Sequence, residues 1–114
     1  MTNELHEPAD RVGPKTIDCH RAISSIREEL EAVDWYAQRA TATDDPELRA
    51  ILEHNRDEEK EHAAMLIEWL RRVDTSFDRH LRTYLFTTGP ITELEAAATA
   101  GSDSETGPRS TPNG

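Results

Sequence analysis

Glu59 and His62 stand three residues apart in the run RDEEKEHAAM. On a helix, at about 100° per residue, they share one face a single turn apart. The surrounding positions Leu48, Leu52, Asn55, Glu59, His62, Leu66, Trp69 and Val73 recur at alternating spacings of four and three. That is the a/d seam of a helix packed on another helix. An ionised carboxylate and an imidazole inside such a seam lose several kcal/mol of hydration each unless a partner offsets it. A bound metal ion does so most simply, because Glu-x-x-His presents both ligand types at the right spacing.

A third polar group occupies the facing seam. Upstream, Cys19, Ala22, Ile26, Glu29, Val33, Tyr36 and Ala40 follow the same four-three rhythm, with Ile23, Leu30 and Ala37 widening the apolar face. Glu29 is the one acid in that seam, whereas Glu28 and Glu31 point about 100–160° away, near Trp35. A di-iron carboxylate bundle draws one Glu from each of two helices and a Glu-x-x-His from each of the other two. Glu29, Glu59 and His62 are half of that set, so two copies about a two-fold axis complete it. Mixed carboxylate and imidazole ligands suit iron, manganese or zinc better than calcium or magnesium. Tyr36, one turn beyond Val33, is placed to donate a hydrogen bond to a ligand carboxylate. The competing explanation for the seam residues is a set of polar pairs that fix helix register, as Asn55 would.

The elements that position these groups are helical. The pattern predicts a first helix over about 15–40, a turn at 41–45 capped by Asp44 or Asp45, and a second helix from Pro46 to about Val73. So short a link makes the two antiparallel neighbours. Asp74, Thr75 or Ser76 caps a third, shorter helix bearing Phe77, Leu81, Tyr84 and Leu85, which Gly89-Pro90 ends. A few helical residues follow over 92–98. The expected fold is all-α: a two-helix hairpin plus a short C-terminal helix, forming a four-helix bundle across a homodimer interface. Residues 1–98 make the domain, with a polar, frayed start over 1–13. Residues 99–114, rich in Gly, Ser, Pro and Thr, read as a disordered tail.

Composition narrows the function. The chain has 114 residues with 13 basic against 23 acidic, a net charge of −10. That argues against nucleic acid and anionic membranes as partners. The single cysteine, Cys19, excludes an intrachain disulfide or a cysteine cluster and fits a reducing compartment. No apolar run is long enough to span a bilayer, and the first residues lack the apolar core of a signal peptide, so a cytoplasmic location is expected. A glycine-rich phosphate loop and a nucleophile–base pair are both missing.

The stretches HRAISSIREELEAVDWYAQRA and DPELRAILEHNRDEEKEHAAMLIEWLRR, followed by LRTYLF, resemble the encapsulated ferritins over roughly residues 14–91. The resemblance implies a half-ferritin that completes its ferroxidase centre between subunits and assembles into a ring-shaped decamer. It implies a cargo protein in the lumen of an encapsulin shell, oxidising Fe2+ to Fe3+ with dioxygen and passing the iron to the lumen for storage. The family's ferroxidase ligands fall on Glu29, Glu59 and His62, and its neighbouring tyrosine on Tyr36. The family's outer metal-uptake site falls on Glu28, Glu31 and Trp35. One feature departs from the family: the tail SETGPRSTPNG has nothing like the partly apolar targeting peptide of encapsulin cargo. The alternatives are a non-catalytic oligomer stapled by zinc or manganese, and a plain helical oligomerisation module. A rubrerythrin-like peroxidase is disfavoured because there is no cysteine-rich electron-delivery module.

Overall fold

The computed structural model describes residues 5–104, which fold into five helices with no strand among them: α1 (Ala9–Val12), α2 (Pro14–Ala42), α3 (Pro46–Val73), α4 (Thr75–Tyr84) and α5 (Ile91–Ser104). The all-helical class and the long hairpin are as expected. No helix among the described residues is long and apolar enough to cross a membrane.

The hairpin forms because both of its ends are well specified. Gly13 adopts φ 86, a left-handed conformation that favours glycine, and Pro14 follows as the first residue of α2. Between the helices the Asp45 carboxylate accepts hydrogen bonds from the Glu47 and Leu48 amides at 2.9 and 3.2 Å, which settles the α3 cap on Asp45 rather than Asp44. Arg49 then reaches back across the turn. Its Nε donates to the Ala40 carbonyl at 2.9 Å and its Nη2 to the Thr43 carbonyl. These are acceptors that the end of α2 leaves without helical partners, and a cation there also suits the helix dipole.

The residues that the hairpin buries are small. Ala22 and Ala40 of α2 and Ala63 of α3 are buried, as is Leu70 further along α3. On α3 the buried line therefore runs one position beyond His62 and Trp69, and the large seam residues lie beside it. Trp69 and Leu48, both placed in the seam from sequence, are exposed, as are Ile23, Leu30, Ile51 and Met65. Alanines allow close approach of two helices, and the larger apolar side chains keep a substantial part of their surface exposed.

The chain divides into two compact units, 1–69 and 70–114. In the second, Asp74 caps α4 by accepting from the Phe77 amide at 2.9 Å. Asp78 accepts from Arg71 and from Arg82. The third helix was expected to run to Gly89-Pro90, but it stops at Tyr84. Leu85 turns extended and Phe86 takes φ 63, and both break the helical backbone before the glycine is reached. Pro90 instead precedes α5, its carbonyl accepting from the Glu93 and Leu94 amides. That helix continues to Ser104, past Thr99 where the tail was expected to begin. Alanine-rich ITELEAAATA sustains it through high helix propensity. The remainder of that tail, and the first four residues of the expected frayed start, lie outside the described residues. Within the same start, α1 forms over Ala9–Val12.

Candidate metal centre

Three side chains from the two long helices converge. Glu29 comes from α2, and Glu59 and His62 from α3. One ligand atom from each lies within 4.8 Å of the others, the one such group of three or more among the described residues. His62 Nδ1 is 3.0 Å from Glu59 Oε1, one turn away on the same helix, and 3.8 Å from Glu29 Oε1 across the hairpin. The Glu-x-x-His spacing sets the first contact locally. The second exists only because α2 and α3 pack with these levels in register.

The group is neither buried nor free. Glu59 and Glu29 keep 23% and 26% of their side-chain surface, and His62 keeps 41%. A cation arriving from solvent can therefore reach all three, and one side of the site stays open.

The electrostatics of the group are unbalanced. Glu29 is held above the ordinary carboxylate range, first by a hydrogen bond shared with Glu59, then by desolvation and the Glu59 charge, against a lowering from His62. Glu59 is held below that range, because it accepts from Glu29 and from His62. His62 is held above the ordinary imidazole value, chiefly by its hydrogen bond to Glu59. Two carboxylates this close resist ionising together, and the resistance falls on Glu29. A divalent cation would favour the ionised form of both acids and offset their mutual repulsion. Two carboxylates with one imidazole is a donor set suited to ferrous iron, manganese or zinc.

The other residues singled out from sequence are placed apart from this group. Glu28 and Glu31 are exposed on α2, with no third ligating side chain gathered to them among the described residues. Glu28 is near enough that its charge helps to raise Glu29. Trp35 is 47% exposed. Tyr36 is half-buried, seven residues from Glu29, or about 10 Å along the helix axis. Its described contact is with Arg39, whose guanidinium carbon lies 5.8 Å from the Tyr36 ring and 5.8 Å from the Trp35 ring. The sequence reading passed over Arg39. The available signal was its i+4 and i+3 spacing from two adjacent aromatics.

Comparisons with known proteins bear on the family and the fold. Residues 4–88 match the family model described as EncFtn-like. The chain is 64% identical over 103 residues to an "Encapsulated ferritin-like protein" of Rhodospirillum rubrum, covering 90% of this chain and 74% of that one. It is 53% identical over 107 residues to a "Ferritin-like protein" of Thermotoga maritima, covering 94% of each. An "Encapsulin nanocompartment cargo protein" of Myxococcus xanthus is 36% identical over 82 residues, 72% of this chain and 63% of that one. A crystal structure of a Nitrosomonas europaea protein superposes with a TM-score of 0.74 at 62% identity, covering 76% of this chain and 96% of that one.

Proposed function

The chain belongs to the EncFtn-like family of encapsulated ferritin-like proteins, and from that premise we propose that it is a ferroxidase whose substrate is ferrous iron. The centre forms between two copies, each giving Glu29, Glu59 and His62, so that the two open half-sites close on one another as a ferritin-like four-helix bundle. The observation that carries this reading is the three-ligand cluster, held across the hairpin yet left open on one side. The exposed apolar side chains Ile23, Leu30, Ile51, Met65 and Trp69 give a second hairpin something to bury.

In this reading the chain's own residues do four things. Glu29 and Glu59 take up the incoming ion, which relieves the repulsion that raises Glu29. Glu59, hydrogen-bonded to His62, fixes the imidazole against the carboxylates. Tyr36 serves the completed centre by donating a hydrogen bond to a ligand carboxylate. Glu28, Glu31 and Trp35 form an outer patch that collects cations for the centre. A pair of ferrous ions held by both half-sites supplies electrons to dioxygen.

The names of the Rhodospirillum and Myxococcus relatives support a place inside an encapsulin shell, with the shell protein as partner and its lumen as the destination of the iron. A ring-shaped decamer is the proposed assembly. The test is oxygen uptake and ferric absorbance when anaerobically loaded protein is exposed to air, for wild type and for Glu29→Ala, Glu59→Ala and His62→Ala. Wild-type rates in all three variants would put the oxidation elsewhere. Tight zinc or manganese binding with no oxygen uptake would select the metal-stapled oligomer instead.

A further inference from the structure

Arg39 stands out among the cations of this acidic chain. Its guanidinium has no carboxylate within ion-pair distance among the described residues, although the chain carries 23 acids. It lies instead at 5.8 Å from both the Trp35 and the Tyr36 ring centroids. Because Trp35 and Tyr36 are adjacent, their side chains leave the helix about 100° apart, and a residue four and three positions on is the one that can cover both. A cation over a ring face is attracted to its π electrons. The same geometry has a redox consequence. A ring that has just lost an electron is positive, and a fixed positive charge 5.8 Å away makes that loss less favourable.

We propose that Arg39 is an oxidation guard: its fixed charge over Trp35 and Tyr36 suppresses one-electron oxidation of the two rings beside the iron-oxidising centre. The proposal rests on the ferroxidase reading for the source of the oxidant, since dioxygen reduced by single electrons yields oxygen-centred radicals. In the suppressed step a hydroxyl radical takes one electron and becomes hydroxide. The Trp35 indole, or the Tyr36 phenol before it sheds its proton, is left as a radical cation. Trp35 is 47% exposed, so a small oxidant reaches it, and it lies about 9 Å along α2 from Glu29. Even with water-like screening, a unit charge at this separation alters the equilibrium by about threefold, and by more where screening is weaker.

The test uses the full-length metal-free protein and chlorine dioxide, a neutral one-electron oxidant that becomes chlorite, so that electrostatic steering of the reagent is removed. Oxidation of Trp35 is measured by peptide mass spectrometry relative to Trp69 in the same chain, which is 38% exposed. The Trp35-to-Trp69 ratio is expected to rise about threefold or more in Arg39→Gln and less in Arg39→Lys, which keeps the charge. Unfolding would raise both tryptophans together and leave the ratio near one. Equal ratios in wild type and Arg39→Gln, or equal rises in the Gln and Lys variants, would overturn the proposal. A second arm cycles ferrous iron and air. Arg39→Gln is expected to keep the wild-type rate in the first cycle and to accumulate more oxidised Trp35 and Tyr36 per iron in later ones. Equal accumulation in that arm would also overturn the proposal. If the wild type oxidises no iron while the chlorine dioxide ratio still rises, the ferroxidase reading fails and the shielding by Arg39 stands.

Discussion

Asp78 and Glu29 are both carboxylates set between two other ionisable side chains, and they are pushed in opposite directions. Asp78 accepts from Arg71 and Arg82, two cations around one anion, and its carboxyl lies below the ordinary range, first because of Arg71. Glu29 faces another carboxylate and an imidazole, and its carboxyl lies above that range. One cluster is satisfied inside a single chain. The other has more acid than base and room on one side, which is the condition in which a cation binds best. Charge clusters of similar size thus differ in kind: the first joins the end of α3 to α4, and the second gathers a donor set that a cation could use.

The largest expected effect breaks the second cluster. Glu59→Ala or His62→Ala should slow ferrous oxidation beyond the roughly 10–100-fold typical of losing a residue that merely supports a ligand, with helicity by circular dichroism retained. The same change at the first cluster, Asp78→Asn, should leave the initial oxidation rate of assembled protein near wild type. Next in size is linkage to metal. At a hundred times its dissociation constant, a divalent cation should stabilise the fold by about 2.7 kcal/mol, read as a raised Tm. Glu29→Gln should abolish that shift while raising the Tm of metal-free protein near neutral pH, because it removes the carboxyl that resists ionisation. A control outside both clusters is Arg49→Ala, which frees two carbonyls at the end of α2. It should cost about 1–3 kcal/mol in urea unfolding, with or without metal.

The smallest effects are in pH dependence, and their signs differ. Asp78 has a depressed folded-state value, so its contribution is complete above the ordinary carboxylate value near 3.9 and is lost as pH falls through the depressed one. His62 has a raised folded-state value, so its contribution is complete below about 6.5 and is lost as pH rises through the raised one. Asp78→Asn should therefore flatten the acid limb of metal-free stability, and His62→Gln the neutral-to-alkaline limb. Melts at stepped pH check both, and identical limbs in variant and wild type would erase the contrast.

Much of the hairpin was legible because its signals are local. The four-three rhythm, Pro46 after Asp45 and the Glu-x-x-His pair each act within one or two turns. Glu29 was legible as a lone acid in an apolar seam. Three features were not, because they depend on how side chains fold back. Arg49 caps a helix other than its own, Arg39 covers two rings instead of pairing with an acid, and Phe86 ends α4 before the glycine that seemed to mark its end. On α2 the buried Ala22 and Ala40 are seam positions as expected, whereas on α3 the buried line lies one position off. Apolar periodicity cannot distinguish a face that packs within the hairpin from one left for another chain.

By itself, then, the sequence determined the two long helices, their antiparallel link and the identity of the three clustered side chains, since propensity, capping and spacing operate along the chain. Only the tertiary structure decided that Glu29 comes within 3.8 Å of His62, that the neighbouring Glu59 holds its carboxyl above the ordinary range, and that the group stays partly open to solvent. Those depend on the register and separation of two packed helices, which the small residues between them set and which no single helix contains.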